Sequence, residues 1–292
     1  MAQIKIAVDS GHGSNTAGKR TCKLTKDIGP YKKGTQVREH WINTYICKLL
    51  SDNLISMGYA VAKSAWDDGI VTDDPDVSLS DRQRLIKNAK CFYSVSIHLN
   101  ASGDGIKYNS GNGTEVLIHN DPARVGDSLT MAGYVLSEMI KGTKQTNRGV
   151  KTQALAMCNC KNLGTKAAIL CECAFMTNQH EVETMITQED YWQECADEIA
   201  AGINNYILST LTVPTSTISK ISSVNDAMWL QIKTNKALRE LGSRTVLKVD
   251  GSYGPNTING VHELWELLGW NKDGKDSGER AGAKTIAKIR GL

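Results

Sequence analysis

Four residues in the first two thirds of the chain carry side chains suited to one piece of chemistry: His12, Glu39, His98 and Glu172. A catalytic zinc is held by three protein ligands drawn from His, Glu, Asp and Cys, with one further position open for water. His12 sits in a glycine-flanked turn, Gly11-His12-Gly13; Glu39 opens a stretch of helical periodicity; His98 closes a β-rich run. Glu172 stands inside the apolar run 167–173, where an ionised carboxylate is costly unless it is paired or faces a polar site. Side chains alternate across a strand, so Cys171 and Cys173 share one face and Glu172 points to the other, toward the metal pocket. His40, beside Glu39, competes for the metal. Singly, each of these residues also has an ordinary structural reading.

The elements that must position them follow from hydrophobic period. Residues 3–9 (IKIAVDS) read as a buried strand ending at Gly11. Trp41, Tyr45, Ile46, Leu49, Leu50 and Leu54 recur at helical spacing, with Gly58 as the stop. Further strands are expected over 59–63, 91–97, 114–119 (TEVLIH), near Ala154 and over 167–173. Helices are expected after a Ser80 cap and over 128–141 and 189–208. Interleaved strands and helices imply an α/β class: a mixed, mostly parallel twisted sheet flanked by helices on both faces. On this reading residues 1–208 form the catalytic domain. Residues 209–223, rich in Ser and Thr, are a linker, and 224–292 carry three helical patterns, a small C-terminal three-helix domain.

The segments GHG, REHWINTYICKLL, SIHLNAS and LCECAFMTN, in that order, resemble the N-acetylmuramoyl-L-alanine amidase family, which includes cell-separation and spore-wall amidases and many phage endolysins. The resemblance covers about residues 3–208. It implies that His12, Glu39 and His98 bind Zn2+, and that Glu172 is the catalytic glutamate. The register from Glu39 to Cys47 and Leu50 fits the family better than one placing His40 on the metal. The resemblance also matches Arg82 to a structural arginine, and places Asn100 and Arg148 beside the pocket as substrate contacts, with loop stabilisation as the alternative. The reaction implied is hydrolysis of the amide between N-acetylmuramic acid and L-alanine of bacterial peptidoglycan. Zinc would acidify water and polarise the carbonyl, and Glu172 would move the proton.

In the C-terminal part, the stretch 235–270 resembles a peptidoglycan-binding module through Asp250, Gly251, Tyr253, Gly254, Pro255 and Thr257. Asp250, Tyr253 and Trp270 are the wall-binding candidates; Trp265 reads as core. Residues 269–289 echo the same turn and helix more loosely.

The remaining features narrow the field. Lys+Arg 34 against Asp+Glu 31 gives a net charge of +3, which does not suggest nucleic-acid binding. No run approaches the length of a membrane span, and no protein partner is implied. The start MAQIKIAVDSGHG lacks the marks of a signal peptide, so synthesis in the cytoplasm is expected, with release by lysis or a holin as for an endolysin, or other export as for an autolysin. The eight cysteines read as reduced thiols, with the 158/160 and 171/173 pairs filling strand faces rather than holding a structural zinc. His119 reads as a surface residue and the acid-rich loop 67–76 as solvated. Two rivals stand: a non-catalytic wall-binding protein, and a zinc peptidase acting within the stem peptide. Retention of all four chemical groups argues against the first.

Overall fold

The structure is a computed structural model that describes residues 3–68, 70–142, 144–270 and 277–291. Its contacts divide the chain into two compact units, one made of Lys5–Asn53 and Val61–Tyr206, the other of the chain from Ile207 onward together with Leu54–Ala60 and the first residues up to Ile4.

The first unit is built on a six-stranded sheet of β1 (Lys5–Ser10), β2 (Ala60–Ser64), β3 (Tyr93–Asn100), β4 (Thr114–His119), β5 (Asn147–Gln153) and β6 (Ala167–Phe175). Its spatial order is β2-β1-β3-β6-β4-β5. β1, β3 and β6 run parallel, β4 is antiparallel to β6, and β5 is parallel to β4. The expected mixed, mostly parallel sheet is therefore present. β1, β3 and β6 are buried along almost their whole length, as strands covered on both faces must be.

The flanking helices are α1 (Glu39–Ser56), α2 (Leu79–Asn88), α3 (Ser128–Met139) and α4 (Glu189–Ser209). On one face, Ala7 of β1 and Ala168 of β6 pack with Ile86 of α2 and Leu163. The other face of β6, with Cys171 and Cys173, meets Cys47 of α1 and Cys195 of α4; burial pushes the Cys47 and Cys171 thiols well up, and a hydrogen bond with Cys195, together with burial, does the same for Cys173. All eight cysteines are buried and free.

Local chemistry explains most boundaries and corrects some expectations. α2 is capped by Ser78, whose side chain accepts from the Asp81 N–H, and Ser80 lies within the first turn. The strand expected near Ala154 is the edge strand β5, which ends at Gln153. Cys158 lies in a 3-10 turn and Cys160 opens a short helix, so this pair lines no strand. His119 is buried, its Nδ1 accepting from the Asp121 N–H. The 67–76 loop is not simply solvated: Asp74 is buried and 3.3 Å from His40.

The second unit holds α5 (Val224–Glu240), α6 (Pro255–Leu267) and α7 (Ala283–Arg290) around Trp229, Leu230, Leu238, Leu264, Trp265 and Ile286. Ile218, inside the Ser/Thr-rich segment, is buried in this core, and Ile218–Ser219 pair with Arg280–Ala281. Gln231 of α5 ties the turn before α6 together by donating to Asp250 Oδ1, Ser252 O and Thr257 Oγ1. Residues 271–276 of the looser echo lie outside the described residues.

Candidate metal centre

Parallel strands deliver their C-terminal ends to one edge of a sheet, and the site is assembled there. β1 runs out into Gly11-His12-Gly13. His12 adopts φ +64°, a left-handed conformation that a non-glycine residue takes only when its surroundings impose it. The glycines on either side are forced by space: a Cβ on Gly11 would stand 2.4 Å from the His98 ring, and one on Gly13 would stand 2.2 Å from the Asp76 backbone. Glu39 enters as the first residue of α1, where a carboxylate also suits the helix dipole.

These three side chains converge. Glu39 Oε2 is 3.2 Å from His12 Nε2, and Glu39 Oε1 is 3.0 Å from His98 Nδ1. The rings meet edge to face with centroids 4.9 Å apart. The donor atoms of His12, Glu39 and His98 all lie within 4.8 Å of one another, the one such cluster among the described residues. Glu39 is 1% exposed, whereas the His12 and His98 side chains are 19% and 15% exposed, so the trio is open on the histidine side. A cleft of about 470 Å³ begins there, walled by Val77, Ser78, Leu79 and Met157. Burial alone would raise the Glu39 pKa, but hydrogen bonds from His12 and His98 hold it far below the usual carboxylate range. Glu39 Oε2 nevertheless has no well-aligned hydrogen bond, an orphaned buried atom in a set of two imidazoles and one carboxylate. That donor set and that orphan fit a zinc ion.

His40 is excluded from the cluster by its own bonds. Its ring is 3.2 Å from both Gly11 O and Ser10 Oγ, and 3.3 Å from Asp74, all inside the scaffold.

Glu172 is brought to the site by register: on the parallel pair β3·β6 it lies opposite His98, and on the antiparallel pair β4·β6 it lies opposite Glu115. Its Oε2 is buried and takes no hydrogen bond. Burial pushes its pKa up to about 7, with Glu39 and Glu115 adding to the rise and His98 opposing it.

Sequence reasoning missed Glu115. It is 8% exposed, accepts from Asn100 Nδ2 at 2.9 Å and from Arg148 Nε at 2.7 Å, and so binds both sequence-predicted substrate contacts into one cluster beside Glu172. The signal was available: Glu115 is a carboxylate inside the apolar run TEVLIH, the same anomaly that singles out Glu172. Arg148 lies on β5, not in a loop.

Arg82 has the structural role expected of it, with partners the sequence does not reveal. From α2 its guanidinium donates to Ser10 O and His12 O, each at 2.6 Å, and contacts Asp9 and Asp76 at 3.2 and 3.0 Å. Asp9 is fully buried and also accepts from Ser64 and Ser96. Arg82→Ala is expected to cost about 3 kcal/mol, because it strands the buried Asp9 charge and releases the backbone that carries His12. Arg82→Lys should recover little of this, since one ammonium cannot span four acceptors. Urea denaturation of the three proteins checks both; a loss below 1 kcal/mol for the alanine variant refutes the clamp.

Of the C-terminal candidates, Tyr253 is 5% exposed and donates to Gly278 O, which makes it a core residue rather than a surface for wall contact. Asp250 caps its own turn through Ser252 N. Trp270 is half-buried against the core, with Lys284 Nζ 4.2 Å over its ring. Trp265 is core, as expected, its Nε1 donating to Thr285.

A mixed α/β sheet that gathers a His-Glu-His cluster at its strand ends, with a further carboxylate beside it, suits a hydrolase. The chain belongs to the N-acetylmuramoyl-L-alanine amidase family, which its residues 6–205 match. Among solved structures it is similar to the N-acetylmuramoyl-L-alanine amidase from Clostridium difficile 630, at 28% identity and TM-score 0.58, covering 71% of this chain and 98% of that one. It is similar also to the CwlD amidase from Clostridioides difficile, solved in complex with the GerS lipoprotein, at 25% identity and TM-score 0.53 over 70% and 98% of the two chains. The catalytic domain of CwlV from Bacillus (Paenibacillus) polymyxa var. colistinus shares the fold at 23% identity and TM-score 0.53, over 70% and 98%. No curated protein sequence matches the chain. Its reaction is the hydrolysis of the amide between N-acetylmuramic acid and the L-alanine of the peptidoglycan stem. No helix among the described residues is long and apolar enough to cross a membrane.

Proposed function

We propose that the protein performs this hydrolysis as a zinc enzyme at the bacterial cell wall, with His12, Glu39 and His98 as the metal ligands and Glu172 as general base and then general acid. The observation that carries the reading is the register of β3 and β6, which sets Glu172, with an unpartnered buried oxygen, directly beside His98. When bound, zinc supplies a Lewis acid for the amide carbonyl and makes water easier to deprotonate. Glu172 takes the proton of the attacking water and passes it to the muramoyl–alanine nitrogen as the C–N bond breaks. Its place in a poorly solvated pocket raises its proton affinity above that of an ordinary carboxylate, which suits both transfers. Asn100 and Arg148 contact the substrate on the Glu115 side of Glu172.

The helical unit serves as the wall-binding module, with Trp270 as its aromatic contact and Asp250 and Tyr253 holding the turn. Tethering to an insoluble polymer raises the effective concentration of the catalytic domain. Residues 1–208, 209–223 and 224–292 remain our functional division, with Ile218 anchoring the connecting segment to the helical unit.

Product analysis of digested peptidoglycan tests the reading. New L-alanine amino termini are expected with the zinc-loaded protein and should disappear with chelator; cleavage inside the stem would instead make it a peptidase.

A further inference from the structure

The row of residues beside Glu172 ends in an arginine whose placement is more constrained than catalysis at the metal requires. Arg148 Nε donates to Glu115 Oε2 at 2.7 Å, and its guanidinium carbon stands 4.8 Å over the ring of Phe175. Phe175 is on β6, three residues beyond Glu172, and pairs with Asn100, two residues beyond His98. The side chain of Arg148 therefore starts on β5, crosses β4 through the Glu115 contact, and brings its charge back over the strand that carries Glu172.

What this leaves free is informative. The remaining contact is a long one, Nη1 to Asn112 O at 3.4 Å, and Nη2 has no partner among the described residues. The side chain is about one third exposed. An arginine held through Nε by a buried carboxylate and through its face by an aromatic ring keeps its outer edge rigid and available, and that edge is the fork that matches a carboxylate. Asn100, oriented by the other oxygen of Glu115, lies two residues beyond His98 on β3.

Resting on the amidase reading, we infer that Arg148 recognises a free carboxylate of the stem peptide, that of the α-carboxyl on its second residue, and that Glu115 is the positioning residue that aims it. The placement suits this: Glu115, which holds Arg148, lies directly opposite Glu172 on the neighbouring strand, and the carboxyl of the second residue lies only five bonds from the scissile nitrogen. Amidation of that carboxyl replaces an ionic acceptor by a neutral group that also presents N–H donors to the guanidinium, an unfavourable pairing.

The experiment measures kcat and KM of the zinc-loaded, full-length protein on two soluble muropeptides that differ only in whether the second residue carries the α-carboxylate or the carboxamide. The wild type should favour the carboxylate by tenfold or more in kcat/KM, chiefly through KM. Arg148→Gln should bring that ratio to about one, Arg148→Lys should restore part of it, and Glu115→Gln should reduce it although the arginine is present. Circular dichroism and zinc content show whether each variant is folded and loaded. A wild-type ratio near one, or a ratio that Arg148→Gln leaves unchanged, overturns the inference while the amidase reading stands. Failure of the wild type to cut either muropeptide at the muramoyl–alanine bond overturns both.

Discussion

Replacing Glu172 by Gln should lower kcat roughly 10³-fold while zinc content and KM stay close to those of the wild type. The substitution is nearly isosteric, and Glu172 makes no side-chain hydrogen bond through Oε2 whose loss would disturb the fold, so the effect falls on proton transfer. The pH profile gives an independent sign. A general base must be ionised, so kcat/KM rises with pH through its pKa and is lost below it. Burial places the Glu172 pKa at about 7 without the cation, and a bound cation lowers it. The acid limb is therefore expected at or below about pH 7 and should vanish in the residual activity of Glu172→Gln. Steady-state kinetics with zinc quantified by atomic absorption decides the matter. A variant with unchanged kcat and a raised KM would mean that Glu172 binds substrate and moves no proton.

The second large effect concerns Glu39, the only anionic member of the trio and the one both histidines touch. Glu39→Ala should abolish activity and weaken zinc by more than the 10- to 100-fold usual for losing a residue that merely orients a ligand. Linkage supplies a readout that needs no substrate: a ion binding only the folded state stabilises it by about 2.7 kcal/mol at 100 times its Kd. Zinc should accordingly raise the melting temperature of the chelator-treated wild type and leave that of Glu39→Ala where it was. Calorimetry with and without zinc provides the measurement. An undiminished zinc-induced shift in the variant would remove Glu39 from the ligand set.

These expectations rest unevenly on sequence and on structure. The clustering of His12, Glu39 and His98 was legible through the resemblance of the segments GHG, REHWINTYICKLL and SIHLNAS, since singly each residue also has an ordinary structural reading. Glu172 was legible because a carboxylate in the run LCECAF has to face something polar. The same argument applied to Glu115 in TEVLIH would have found the residue that organises Asn100 and Arg148. Arg82 shows the opposite case. Its helix was expected, but its hold on Ser10, His12 and Asp9 joins positions some 70 residues apart, and no local pattern encodes that.

The sequence by itself determined the alternation of strands and helices, because hydrophobic period and glycine punctuation are local properties of the chain, and it gave the family through the resemblance of four short segments. Only the tertiary structure decided which strand lies beside which, and with that the pairing of His98 with Glu172 and of Glu172 with Glu115. It also decided that Tyr253 and Ile218 belong to the core of the helical unit, and that His40 is tied into the scaffold. Strand register and burial are set by the free energy of packing the whole sheet and its helices together, which no short window of sequence contains.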